Sequence, residues 1–260
     1  MIHVSDTVER NRRGILDACA RRDEWVEHLP YYYGIHLAMP CNERCIMCVP
    51  DGRHELTSVP FEEFVAFFEQ IKPVARHITL IGGETFMYPK FKEVLELLAR
   101  HPITVTIITN ATLLTRKVAP RLLALHGLEL KCSIDAATRD TYHRIRGRDV
   151  FDRVLSNVRD FSALAREAPH VRRILVYVVM RENLDEVLPF IDIARSLDVY
   201  RVDFQPVKHV QTWNVTNGTG WVFDGKEQSC EAFRDEFHDV MHEAARKCER
   251  LGLRHDIQLV

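Results

Sequence analysis

A chain of 260 residues, 46% apolar and 28% charged, is long enough to bury a sizeable core and has the composition of an ordinary globular protein. Its formal charge of −2 offers no bulk attraction to nucleic acid or to an anionic membrane, so neither is expected as a partner. No apolar run approaches the roughly 20 residues of a spanning helix, and the N-terminus, MIHVSDTVERNRRG, lacks the continuous apolar stretch of a secretory signal, so a cytoplasmic location with reduced thiols is expected.

Residues 5–28 read as a polar amphipathic helix, and residues 1–29 as a helical extension ahead of a core spanning 30–260. YYYGIHLA (31–38) is a strand-like run. SVPFEEFVAFFEQIK (58–72) is a helix, with Pro60 and two glutamates in its first turn and Phe61, Phe64, Val65, Phe68 and Ile71 at helical spacing. Strands then follow at 77–81, 103–108, 128–134, 173–180 and 200–207, each succeeded by a helix, at 89–100, 114–126, 150–166, 184–197 and 227–251. Six strands in strict alternation with six helices predict βαβ units and a parallel sheet. With no Gly-rich dinucleotide fingerprint after the first strand, an α/β fold of the partial (β/α)6 barrel type is expected, with its chemistry at the strands' C-terminal ends. The irregular stretch 208–226 follows the last strand and is expected at that face as a loop or lid.

Seven cysteines is an odd number, and three of them, Cys41, Cys45 and Cys48, crowd into PCNERCIMC just after the first strand. That clustering argues against a disulfide framework and for an inorganic centre. A structural zinc site wants four protein ligands; His36 or His54 could complete a Cys3His set. An iron–sulfur cluster normally takes four cysteines, and with three, one iron stays open for another ligand.

The spacing C-x3-C-x-Φ-C after a first strand resembles the signature of the radical S-adenosylmethionine (SAM) enzymes. More segments follow in register. ITLIGGET ends the second strand with Gly82, Gly83 and Glu84 and is similar to the family's GGE segment. IITNATLL, with Thr109 and Asn110, is similar to its TNG segment, and CSIDAATRDTYHRIRG, with Ser133, Asp135 and Arg146, to its S-x-D…RG stretch. MRENLDEV (180–187) resembles the subgroup that often carries a Cys-rich SPASM or Twitch extension. The resemblance spans roughly 30–255. It implies a 4Fe–4S cluster on Cys41, Cys45 and Cys48, and SAM on the fourth iron, cleaved by one electron to a 5′-deoxyadenosyl radical that abstracts a substrate hydrogen. It implies further that Gly82, Gly83 and Glu84 hold the SAM amino group, that Met47 takes a position near the adenine where an aromatic is common, and that Ser133, Asp135 and Arg146 lie near the ribose and carboxylate. A low-potential donor such as flavodoxin or ferredoxin is the implied partner. Thr85 stands where the family has proline and Ala111 where it has glycine. No cysteine follows Cys248, so auxiliary clusters are not expected in this chain.

Cys230 and Cys248 share a helical stripe with Phe233, Phe237, Met241 and Ala244 and are expected in the core, as are Cys132 and Cys19. Lys131, Ser133 and Asp135 alternate onto the opposite strand face, which should be the barrel interior. A buried charge there needs a partner; either a ligand or a Lys131–Asp135 pair would serve. His36, Asp203 and Gln205 are candidates for the same polar set, and Trp213, Asn214, Asn217 and Trp221 for a lid over a polar ligand. The expected function is hydrogen abstraction from a small metabolite or ribosomal peptide, and the alternative is a non-catalytic, zinc-stabilised binding module.

Overall fold

Seven parallel strands form one open sheet in the computed structural model, which describes residues 6–48, 58–207, 214–216, 219–220 and 222–260. They are β1 (Tyr32–Ala38), β2 (His77–Gly82), β3 (Thr104–Thr109), β4 (Gly127–Ser133), β5 (Val171–Val179), β6 (Arg201–Pro206) and β9 (Arg254–Ile257). Their spatial order follows the chain, β1 through β6 and then β9, and the two end strands do not pair. An α/β sheet of this order is a partial barrel, as the alternation predicts. The seventh strand is a departure. Its RHDI is too short and polar to announce a strand, and it forms because β6 leaves an edge that its backbone can pair, Arg201 with Arg254 through Phe204 with Ile257. β7 (Asn214–Thr216) and β8 (Val222–Asp224) pair antiparallel within the stretch expected to be a loop. Trp213, Asn217, Trp221 and His54 lie outside the described residues.

Helices α2 (Phe61–Ile71), α3 (Phe91–Leu98), α4 (Ala119–Leu123), α6 (Phe151–Leu164), α7 (Val187–Ser196) and α9 (Arg234–Arg250) follow their strands. Their apolar stripes meet one face of the sheet in a single core. Leu37, Ile78, Leu80, Val105, Ile107, Leu130, Cys132, Leu175, Tyr177, Val202 and Phe204 alternate onto that face, against Phe64, Phe68, Leu95, Leu122, Val154, Phe190 and Phe237. Cys132, Cys230 and Cys248 are buried in this core as expected. Cys19 is not: α1 (Asp6–Arg21) buries Val8, Asn11 and Ala18, and Cys19 stands one step round the helix, exposed. This first helix also stops at Arg21, short of residue 28. The long C-terminal helix is broken into α8 (Gly225–Gln228), a 3-10 turn at Cys230–Phe233, and α9. Ser229 breaks it: its backbone is extended and its hydroxyl accepts from Glu231 N.

One helix escaped the periodicity altogether. α5 (Arg139–Arg146) is too polar to show an apolar stripe; it is defined by its ends. The Thr138 hydroxyl accepts from Thr141 N at the start, and Gly147, at φ 70°, takes the left-handed stop. Among the described residues no helix is long and apolar enough to cross a membrane.

The other sheet face is concave and open. Parallel sheets are normally covered on both faces, yet Ile108, on central strand β3, is 37% exposed here. Thr79, Thr106, Glu129, Lys131, Ser133, Asp203 and Gln205 share this face by register.

Candidate cluster and cofactor site

The loop carrying Cys41, Cys45 and Cys48 leaves the C-terminal end of β1, and three clamps hold it. The first is the end of β2. Gly83 N donates to Ala38 O at 2.7 Å and Glu84 N to Pro40 O at 2.9 Å. A Cβ on Gly82 would lie 1.9 Å from Ala38 O, and one on Gly83 2.1 Å from Met39 O. Gly82 also has φ 152°. The resemblance implies that these glycines help hold the SAM amino group; their backbone here lies close against the start of the chain's own cysteine loop. Gly82→Ala should therefore destabilise by about 2–5 kcal/mol, combining overpacking with a disfavoured backbone conformation. Chemical denaturation checks this, and an unchanged midpoint would remove the clamp.

The second clamp is the end of β3. Asn110 Nδ2 donates to Asn42 Oδ1 at 2.8 Å, and Asn42 Nδ2 donates to Thr112 Oγ1 at 2.7 Å. Asn110 Oδ1 accepts from Thr112 N and Oγ1. Ala111 has φ 59°, the left-handed region where a glycine would be unstrained. Glu84 ties the ends of β2 and β3 together. It is fully buried and accepts from Phe86 N at 3.0 Å, Thr109 Oγ1 at 2.6 Å and Asn110 N at 2.7 Å. Burial pushes its carboxyl up from the ordinary value, and these three donors pull the other way. Thr85, in the position of the family's proline, donates its hydroxyl to Ile108 O at 2.8 Å.

The third clamp is α5, whose terminal carbonyls would otherwise lack partners. Arg44 N donates to Arg146 O at 3.1 Å and Ile46 N to Ile145 O at 2.8 Å. Ile46 is fully buried in a small cluster with Ile145, Met180, Val207 and Phe223, and Met47 packs half-buried against it. Beside it lies a buried ion group that sequence reasoning missed in part. Glu43 accepts from Tyr142 OH at 2.5 Å and from Arg146 Nη1 at 3.4 Å. Arg146 Nη2 pairs with Asp135, and its Nη1 lies 3.4 Å from Cys45 Sγ. Asp135 sits at φ 62°, fully buried, and accepts from Val178 N at 2.7 Å. Burial raises the pKa of both Glu43 and Asp135, and the Arg146 charge opposes that rise. The signal for Glu43 was in plain view: a lone acid inside a tight cysteine loop. Asp135 and Arg146, expected near SAM, are here partners of one another. Of the two partners considered for Lys131, a ligand or Asp135, the Asp135 pair is not formed. Lys131 Nζ instead meets Asp203 Oδ2 at 3.1 Å, because Asp135 turns away to Arg146. Ser133 and Gln205 are half-buried on the concave face; His36 shares the β1 face of Tyr32 and Gly34 and is exposed.

Burial pushes the Cys41 and Cys45 thiols up, Cys45 strongly, with Arg146 opposing the rise at Cys45. Among the described residues no three His, Cys, Asp or Glu side chains converge as a single bound ion would require. A four-iron cluster takes one thiolate per iron, so its ligands need not converge. The donor set fits such a group in another respect. Arg146 Nε is buried with no hydrogen-bond partner among the described residues, in the side chain that already donates towards Cys45. An anionic, sulfur-rich group is a suitable acceptor for it.

Comparison with known proteins follows the same residues. The family model for the radical SAM superfamily matches residues 40–194. The chain is 29% identical over 182 residues to a probable GTP 3',8-cyclase of Saccharolobus solfataricus, covering 66% of this chain and 56% of that protein. It is 28% identical over 170 residues to an AdoMet-dependent heme synthase of Methanosarcina barkeri, covering 62% of this chain and 46% of the relative, so the chain spans about half the length of these relatives. In fold it is similar to Streptococcus suis SuiB bound to precursor peptide SuiA, with a TM-score of 0.71 at 16% identity over 96% of this chain and 53% of SuiB. With the family model covering more than half of its length, the clamped cysteine loop included, the chain belongs to the radical SAM superfamily.

Proposed function

We propose that Cys41, Cys45 and Cys48 each bind one iron of a 4Fe–4S cluster and that SAM lies across the C-terminal ends of β2 to β5. The observation that carries this reading is the cysteine loop, clamped at three places beside the open concave face. When bound, the cluster supplies the electron that cleaves SAM reductively, the first event in hydrogen abstraction from an organic substrate. The chain's own residues hold the reactants. Glu84 keeps acceptor capacity beyond its three donors and offers it to the SAM ammonium. Gly82 and Gly83 bring that carboxylate to the cysteine loop, Thr109 and Asn110 fix its orientation, and Ser133 faces the ribose. Asp135 and Arg146 act from behind the loop. Met47, half-buried beside Ile46, offers a polarizable surface to the adenine.

The substrate is a small organic molecule or a peptide, contacted by His36, Lys131 and Gln205; the further candidate Trp213 lies outside the described residues. The relatives support this range: two are named for a nucleotide cyclase and a heme synthase, and SuiB was crystallised with a peptide. A flavodoxin or ferredoxin supplies the electron.

The test is anaerobic reconstitution followed by SAM cleavage with dithionite. Brown protein yielding 5′-deoxyadenosine is expected; colourless protein holding stoichiometric zinc would establish the binding-module reading instead. Glu84→Gln should retain iron and weaken SAM binding by about tenfold to a hundredfold, the loss of one charge-assisted hydrogen bond of roughly 1.5–3 kcal/mol. Equilibrium dialysis with labelled SAM measures it, and an unchanged dissociation constant would withdraw Glu84 from the cofactor.

A further inference from the structure

The concave face holds an excess of positive charge that the cluster and SAM do not require. Strand register sets Ile108, Lys131, Ile174 and Arg201 side by side on β3 to β6. Asp203 stands one level nearer the strands' C-terminal ends, opposite Val176 and in line with Ser133 two strands away. Lys131 Nζ reaches it at 3.1 Å, and Arg201 Nε and Nη2 hold both of its oxygens. One carboxylate thus gathers two cations.

The exposures are unequal, and the inequality decides the reading. The Asp203 side chain is 3% exposed, while those of Lys131 and Arg201 are 21% and 24% exposed. The acid is sealed beneath, and the cations look into the open face. Among the described residues Asp203 is the only ion-pair partner of either cation. Glu129, the next carboxylate on this face, is already taken by Arg172 at 2.8 Å. Arg254 and Asp256, on the edge strand, are exposed and cancel in sign. Between β4 and β6, among the described residues, the carboxylate a substrate ammonium would meet is the sealed Asp203, behind its two cations. An anion would find two donors fixed by a buried counter-ion, and a preorganised pair loses little on binding. Beside Lys131 stands Ile108, apolar and open to the same face.

We propose that Lys131 and Arg201, positioned by Asp203, bind an anionic oxygen group of the substrate, a carboxylate or a phosphate, while a hydrocarbon portion lies over Ile108. Its two donors stand on β4 and β6, two strand spacings or about 10 Å apart across the sheet, and Lys131 lies two residues before Ser133 on β4. The inference rests on the reading that the concave face receives the substrate, and it narrows that substrate to an organic anion.

The experiment is calorimetric titration of the reconstituted holoenzyme with SAM present. The probes are glutarate, propyl phosphate and, as the opposite charge, 1,5-diaminopentane. One or both anions should bind at a single site, the tighter one showing whether carboxylate or phosphate is preferred, and the diamine should not bind. Lys131→Met should weaken the anion by about tenfold or more, as for one lost charge-assisted hydrogen bond. Lys131→Arg should restore most of it, which a merely misfolded site would not do. Wild-type protein that cleaves SAM but binds neither anion overturns the inference alone, as does equal anion affinity in wild type and Lys131→Met. Anion binding that depends on Lys131, in protein that never cleaves SAM, supports the inference and overturns the proposed function.

Discussion

Alanine in place of Cys41, Cys45 or Cys48 is expected to take the reconstituted protein from about four irons per chain to nearly none. No other thiol among the described residues can substitute. Cys132, Cys230 and Cys248 are sealed in the core on the opposite face of the sheet, and Cys19 is exposed on α1. Cys45→Ala carries an added loss, since Arg146 Nη1 then keeps only Glu43 within reach. Iron and sulfide analysis with the visible absorbance of the protein measures the effect, and Cys19→Ser is the matched control that should stay brown. A variant of any of the three that kept its full iron would break the assignment.

Arg146→Met is expected to be the most destabilising single change at the site. The guanidinium is buried between two buried carboxylates, Glu43 and Asp135, and it is the only cation paired with either among the described residues. Removing it leaves two acids in apolar surroundings within reach of one another. Breaking a buried pair in this way costs about 3–5 kcal/mol, and here the α5 end that clamps the cysteine loop is disturbed as well. At this chain length that corresponds to a fall in melting temperature of roughly 6–20 °C. The measurement belongs on cluster-free protein, followed by circular dichroism, so that metal content does not enter. Adding Asp135→Asn to Arg146→Met removes one of the two stranded charges and should recover part of the loss. Arg146→Met protein that melts with the wild type would show that the acids are neutral without it, and the ion group would then have no structural role.

The elements with strong apolar periodicity were legible in the sequence to within a few residues, because burial on the helix-covered face leaves a repeat that composition cannot hide. β1 to β6 and most of the helices after them are of that kind; α4 shrinks to Ala119–Leu123, and the last helix starts only at Arg234 because Ser229 breaks it. α5 and β9 were not legible. The first is defined by Thr138 and Gly147 at its ends, and the second by an edge that exists only once β6 is in place. The site divides in the same way. Three cysteines, two glycines and Glu84 could be read from spacing and resemblance. Their partners in space could not, since Glu43 meets Arg146 across 103 positions and Asn42 meets Asn110 across 68. The choice left open for Lys131 had the same cause: strand alternation told which face Asp135 begins on, while its left-handed backbone turns it to Arg146 and leaves Lys131 to Asp203. Cys19 was misplaced by one helical step.

The three clamps on the cysteine loop bear on the order of events in the cell. In a zinc finger the metal drives folding, and removing it unfolds the chain. In this chain the loop's hydrogen bonds run to β2, β3 and α5, all elements of the finished barrel, and none of them needs iron. Iron-free protein is therefore expected to keep its fold, and the socket would then be a product of folding rather than a cause of it. Maturation machinery would meet a protein already shaped to accept its cargo, and a cluster destroyed by oxygen would leave behind a vessel that can be refilled rather than a chain that must be discarded.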